Sequence, residues 1–249
     1  MHRKFSMSER ATEPFPFPVG RSWDGRPVSD SAVLHPHIDI AQKHWGKLLK
    51  PGDIVMDATT GNGHDTLNLV RQISWFGGGI LIACDIQPFA IDSSKGLLRE
   101  QLDMTIHEEN ATRWTCIPNN LDRREAGSVI LNWNVGCHLD LMKGQMPSTV
   151  KLVVFNLGYL PGGNKSITTL SSVTIATLQE ATEVLEPGGC VSITCYPGHE
   201  EGEAEQQAVV SFAAALPQQR FSCYWHQWIN QRNKRTGKPA PSLVLIQRL

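Results

Sequence analysis

Two short apolar runs, Ile54-Val55-Met56 and Ile80-Leu81-Ile82-Ala83-Cys84, each close on a carboxylate, Asp57 and Asp85, and each is followed by turn residues and then by helical periodicity. Runs this short and this apolar are strands buried on both faces, which requires a parallel sheet covered by helices rather than an open antiparallel one. The rest of the chain keeps the alternation. Between His37 and Leu49, Ile38, Ala41, Trp45, Leu48 and Leu49 recur at helical spacing until Pro51-Gly52 stops the pattern. A helix from about His64 to Ile73 follows the glycine turn 58 to 63, and Pro88 stands where another begins, with Ile91, Leu98 and Leu102 on one face. Further strands read at Val129-Ile130-Leu131, Leu152-Val153-Val154-Phe155 and Cys190-Val191-Ser192-Ile193-Thr194. Before the last of these lie a helix from Thr169 to Leu185 and the turn Glu186-Pro187-Gly188-Gly189. Strands at about 220 to 227 and 242 to 248 close the sheet. The expected fold is α/β and Rossmann-like: a mostly parallel, doubly wound sheet with an antiparallel C-terminal strand.

With 249 residues and 41% apolar side chains the chain can bury one full core, so a single domain is expected over 31–249. Residues 1–30 hold Pro14, Pro16, Pro18 and Pro27 with little periodicity and read as a mobile arm. Residues 105–127 are polar and irregular and read as a surface insertion. A net charge of −1 excludes a globally basic nucleic-acid coat, so any RNA must be gripped by a local patch. The six cysteines form no C-x-x-C pair and no zinc spacing, which points to structural thiols in a reducing compartment and to no metal site. No run approaches the roughly 18 apolar residues of a membrane span, and the N-terminus lacks an apolar secretory core. A soluble, intracellular protein with no membrane partner is expected: cytoplasmic in a bacterium, chloroplast or mitochondrion in a eukaryote.

In doubly wound sheets ligands bind beyond the carboxyl ends of the strands, beside the first one. The loop there reads D-A-T-T-G-N-G-H-D from Asp57 to Asp65, and Gly61 and Gly63 let backbone approach a ligand with no Cβ in the way. Asp85, ending the second strand, is placed to accept from two ribose hydroxyls. That spacing suits both a nicotinamide dinucleotide and S-adenosylmethionine. The run Gly61-Asn62-Gly63-His64-Asp65-Thr66 lacks the third glycine or alanine of the dinucleotide fingerprint, and an acid just before the loop suits a cationic amino-acid moiety better than a pyrophosphate.

The fourth strand ends in Asn156-Leu157-Gly158-Tyr159. Such an Asn can accept from a substrate amine while Tyr159 stacks on a base; the plainer reading is a turn cap and a core ring. The spacing resembles the N-P-P-Y motif of amino-group methyltransferases without its prolines. After the fifth strand, Tyr196-Pro197-Gly198-His199 opens a carboxylate-rich loop that walls the same edge, with His199 either a proton acceptor or a surface residue. Near the C-terminus, Tyr224, Trp225 and Trp228 precede Arg232, Lys234, Arg235 and Lys238, a pattern that fits either a single-stranded RNA loop or a hairpin with a solvated basic turn.

Together the blocks G-D-I-V-M-D-A-T-T-G-N-G-H-D-T, C-D-I-Q, F-N-L-G-Y-L-P-G-G and Y-P-G-H-x-x-G-x-x-E make the chain, from about Ala41 onward, similar to the MnmM (YtqB-like) methyltransferases. The resemblance implies a class I fold, S-adenosylmethionine as donor, and methylation of the 5-aminomethyl group of 2-thiouridine at the tRNA wobble position. It implies that Asp57, Thr59, Gly61, Asn62, Gly63, His64, Asp65, Asp85 and Gln87 surround the cofactor, with His138 and Asn156 adjoining. Asn156, Tyr159, Tyr196 and His199 line the substrate side. The anticodon loop would meet Gly162, Lys165, Trp228, Arg232, Lys234, Arg235 and Lys238, and a homodimer is compatible. Two departures stand out: the stretch 105–127, and Gly136-Cys137-His138 where the family carries an acid-bearing segment.

An electrophilic methyl donor needs alignment and exclusion of water more than acid catalysis. Asn156 is expected to orient a neutral amine while Tyr159, Tyr196, His199 or a water receives the proton. The rival readings are methylation of an rRNA base or a small molecule, and a catalytically silent RNA-binding module.

Overall fold

A computed structural model describes residues 36–119, 127–158, 171–232 and 237–249. Tyr159, Gly162, Lys165, Lys234 and Arg235 fall outside the described residues, as does the arm 1–30. In chain order the elements are α1 (Pro36–Leu48), β1 (Ile54–Asp57), α2 (His64–Trp75), β2 (Gly79–Asp85), α3 (Pro88–Gln101), β3 (Met104–Asn110), β4 (Arg113–Pro118), β5 (Val129–Val135), α4 (His138–Lys143), β6 (Val150–Asn156), α5 (Ser171–Val184), β7 (Leu185–Cys195), α6 (Glu200–Ala215), β8 (Phe221–His226) and β9 (Ser242–Arg248).

They build one nine-stranded sheet in the order β3-β4-β5-β2-β1-β6-β7-β9-β8. The centre β5-β2-β1-β6-β7 is parallel. β9 runs antiparallel between β7 and β8, as expected of the C-terminal strand. The apolar runs are continuous because both faces are covered. Val55, Leu152, Val154, Leu243 and Leu245 point into a core shared with Ala41, Trp45, Leu69, Val70 and Leu98 of α1, α2 and α3. Their strand neighbours Met56, Val153, Phe155, Val244 and Ile246 point the other way, against Met142, Leu178, Ala181 and Val209 of α4, α5 and α6.

Residues 105–127 are not simply an irregular insertion. Met104–Asn110 and Arg113–Pro118 form an antiparallel hairpin that extends the sheet beyond β5. Its inner strand is fixed by Trp114, fully buried edge-on to Trp133 at 5.3 Å, with the Arg99 guanidinium 4.6 Å above its ring. Pairing in β7 begins at Leu185, ahead of Pro187-Gly188-Gly189. The register slips between Val150 and Leu152, and Gly188 takes φ 77, so the expected turn is absorbed as an irregularity within the strand.

Candidate active site at the strand tips

β2 pairs with β1 on one side and β6 pairs with it on the other, so a crevice opens where the direction of winding reverses. The loop after β1 closes its floor. The Ala58 amide donates to the Val154 carbonyl and the Thr60 amide to the Cys84 carbonyl, both at 2.9 Å, which ties the loop to the strands on either side. The Gly63 amide then donates to the Thr60 carbonyl at 2.9 Å, making a tight turn with Gly61 at φ 53 and Gly63 at φ 85. A Cβ on Gly63 would sit 2.7 Å from Ser94 on α3, whose hydroxyl donates to the Gly61 carbonyl at 3.0 Å.

Asp85 joins two turns at once. Oδ2 accepts from the Gly61 amide and Oδ1 from the Gln87 amide, each at 2.9 Å. Each carboxylate oxygen keeps a further lone pair for a ligand hydroxyl. Val135, in register beside Asp85, and Ile86 after it are both exposed apolar side chains at this edge. Sequence reasoning missed these two, because an isolated exposed aliphatic carries no periodicity.

Asp57 is buried; Oδ2 accepts from the Thr66 hydroxyl at 2.5 Å and Oδ1 from the Thr59 amide at 3.2 Å. Burial, then the nearby Asp65 charge, push its carboxyl up to about 7. Asp65 is likewise raised by burial, against the pull of its hydrogen bonds from Asn156 and Gln42. The Asn156 Nδ2 donates to Asp65 Oδ2 at 3.1 Å, and the Asn156 amide donates to the Thr59 hydroxyl oxygen at 2.6 Å. The Tyr196 ring, near Asp65 and Asn156, meets His37 of α1 edge-on at 6.0 Å. Burial and the Asp65 charge raise the Tyr196 phenol well above its ordinary value, so it stays protonated.

The structure brings Asp57, Thr59, Asp65 and Asn156 into one hydrogen-bonded group and Gly61, Asp85 and Gln87 into a second, with Asn62, Gly63 and His64 in the same turn and helix start and Tyr196 near Asp65 and Asn156. His138 heads α4, edge-on to Phe155 at 5.8 Å, with its pKa lowered by burial. His199 caps α6: Nδ1 accepts from the Gly202 amide at 3.1 Å, and the same nitrogen lies 3.2 Å from Glu201 Oε2. One nitrogen cannot accept from the amide and donate to the carboxylate together. The capping tautomer carries its proton on Nε2, which does not suit a proton acceptor. Among the proposed RNA contacts, Trp228 and Arg232 are exposed, whereas Lys238 is ion-paired with Glu203.

The family described as "Putative rRNA methylase" matches residues 81–246, two thirds of the sequence. The chain belongs to this family. The rRNA-methylase match takes in Asp85, Asn156, Tyr196 and His199, while the Asp57 loop lies upstream of it. Among relatives, an Arabidopsis thaliana protein named tRNA (mnm(5)s(2)U34)-methyltransferase, chloroplastic, is 35% identical over 197 residues, 78% of this chain; the chain spans 64% of that relative's length. A Clostridium thermocellum structure described as a "putative rRNA-methylase" is 30% identical with a TM-score of 0.67, covering 86% of this chain and 97% of that one. A Streptococcus mutans "putative methyltransferase" in complex with SAH is 27% identical with a TM-score of 0.63, covering 85% and 97%. The Rossmann-like class I methyltransferase fold is thereby established for this chain.

Proposed function

We propose that the protein is an S-adenosylmethionine-dependent N-methyltransferase whose acceptor is the 5-aminomethyl group of 2-thiouridine at the wobble position of tRNA. The observation that carries this reading is Asn156, whose amide nitrogen is held by ionisable Asp65 so that its carbonyl oxygen is available to accept from an amine. The name of the Arabidopsis relative supports the same acceptor.

The residues fit the donor. Asp85 retains acceptor capacity toward a ribose diol, Gly61 carries no Cβ in the turn that Asp85 holds while Gly63 packs on Ser94, and exposed Ile86 and Val135 offer apolar faces to a purine. Asp57 and Asp65, two buried carboxyls whose pKa values burial raises, suit the cationic end of the molecule. When bound, this cofactor supplies an electrophilic methyl group on a sulfonium. The chain supplies alignment: Asn156 orients the amine, and the displaced proton leaves to water, since neither the Tyr196 phenol nor the capping His199 is set up to take it.

Labelled cofactor incubated with aminomethyl-bearing and with unmodified tRNA, followed by a mass-resolved nucleoside digest, tests the reading. Label confined to the former supports it, and label in neither refutes it. Asn156→Ala should lower kcat at least tenfold with little change in cofactor affinity. An rRNA acceptor is the second reading, favoured by the family's description, and label in rRNA fragments instead would install it. The chloroplastic relative supports an organelle compartment in a eukaryotic source, and a homodimer belongs to the same proposal, with sedimentation as its test. Among the described residues no helix is long and apolar enough to cross a membrane.

A further inference from the structure

α1 lies outside the strand-tip loops, yet it reaches the acceptor side of the site. The Gln42 Nε2 donates to Asp65 Oδ1 at 3.4 Å, while Asp65 Oδ2 accepts from Asn156. Gln42 itself has a fixed orientation: its Oε1 accepts from Asn68 Nδ2 at 3.3 Å, and Asn68 Oδ1 accepts from Gln72 Nε2 at 2.6 Å. The Gln72 amide also donates to the Gln42 backbone carbonyl at 3.1 Å. Gln42 and Asn68 each accept on oxygen and donate on nitrogen, and Gln72 donates to both through its nitrogen, so the direction of the run is set and it ends on the Asp65 carboxyl.

We infer that Gln42 is a positioning residue for methyl transfer, acting through Asp65 to fix which end of the Asn156 amide faces the acceptor amine. The inference rests on the proposed amine chemistry of the site. An ionised Asp65 holds the Asn156 nitrogen and turns its oxygen outward. A protonated Asp65 donates as well as accepts, and then the Asn156 amide can rotate and present its nitrogen, a donor, to an amine that needs an acceptor. Gln42 supplies one of the two amide donors that favour the ionised form of Asp65 against the burial that raises its pKa. The other ionisable groups around Asp65 are Asp57 on β1, His64 beside it, and Tyr196 after β7. The burial that raises Asp65 makes that donor count matter more than it would at the surface.

The test uses Gln42→Glu, which keeps the shape and the acceptor for Asn68 but replaces the donor by an acceptor, with Gln42→Leu as a second variant. Two readouts are taken: the Asp65 side-chain carbon titrated by NMR, and kcat against pH on aminomethyl-bearing tRNA. The expected result is an Asp65 midpoint raised by at least one pH unit, an acid limb of kcat displaced upward with it, and at least a tenfold loss of kcat at neutral pH. In an Asp65→Asn background, which has no carboxyl to titrate at this position, Gln42→Glu should leave the pH profile of kcat where that background puts it. A helix contact that is merely structural would lower the melting temperature of both variants and leave the midpoint and the limb where they were, which overturns the inference. A midpoint that moves with no change in kcat overturns it too. Wild-type protein that transfers no methyl group to this tRNA would instead sink the acceptor assignment, and the titration alone would then decide the link from Gln42 to Asp65.

Discussion

The turn at Gly63 offers a perturbation whose size can be worked out in advance. Gly63→Ala places a methyl 2.7 Å from the Cα, Cβ and Oγ of Ser94, in a residue held at φ 85. The left-handed backbone costs an alanine roughly 1–2 kcal/mol, and forcing a carbon into an occupied, buried contact adds about 1–3 kcal/mol. The expected loss is therefore about 2–5 kcal/mol. Gly52 isolates the first part, because it has the same φ of 85 and no atom within 4 Å of the place a methyl group would take. Urea unfolding of wild type, Gly52→Ala and Gly63→Ala, compared by midpoint at constant slope, measures both parts. Gly52→Ala should lose only the backbone share, and Gly63→Ala should lose clearly more. Since the Gly61 amide anchors to Asp85 in the same turn, calorimetry with S-adenosylhomocysteine should also show weaker binding for Gly63→Ala alone. Equal losses for the two variants would refute the packing argument, and unaltered affinity would separate this turn from the cofactor.

Other expectations follow from the same geometry. Asp57 has a folded pKa raised to about 7, above its unfolded value, so the empty protein should be steadiest below about pH 4 with respect to this group and lose stability as pH climbs toward 7. Asp57→Asn should flatten that slope in unfolding curves taken across the window, and an unchanged slope would reject the assignment. Replacing Asp85 by Ala removes the acceptor for two backbone amides and for any ribose diol; with charged hydrogen bonds worth about 1.5–3 kcal/mol each, S-adenosylhomocysteine affinity should fall by roughly 100-fold or more. Arg232→Ala should flatten the salt dependence of tRNA binding by about 0.7 in log–log slope, whereas Lys238→Ala should do less, being already paired with Glu203. In the central sheet, fully buried Leu152→Ala should cost about 2–5 kcal/mol by thermal or urea unfolding.

How far the sequence could be read depended on whether burial was two-sided. β1, β2 and β6 bury both faces, so their side chains form apolar runs, and the acids or amide that end them point to the candidate site at the strand tips. The β3–β4 hairpin lies at the sheet edge, where His107, Glu108, Glu109 and Asn110 face solvent and leave no run to see. Only the alternation in Arg113-Trp114-Thr115-Cys116, with Trp114 and Cys116 buried, carried a signal, and it was short. Pro187-Gly188-Gly189 read as a turn because glycine and proline usually end strands; here the bulge opposite Lys151, itself buried and paired with Glu186 at 2.8 Å, accommodates them. Within the candidate site, Asp57, Asp85 and Asn156 were legible from their places at strand ends. Gln42 was not, since a glutamine on the polar side of an amphipathic helix looks like solvent-facing surface until the fold sets it against Asp65. His199 was legible as important but not as a cap, a role that depends on where the next helix starts.

Asp85 fastens the Gly61 turn and the Gln87 turn with its two oxygens, using only the protein's own amides. A cradle already clamped from both sides has little disorder left to surrender on occupation, so a nucleoside entering it should meet a rigid mould rather than a loop that folds around it. Spent and fresh nucleoside present the same sugar to that mould and should be gripped alike there. Turnover would then tend to be paced by departure of the used molecule, with accumulated product acting as a brake.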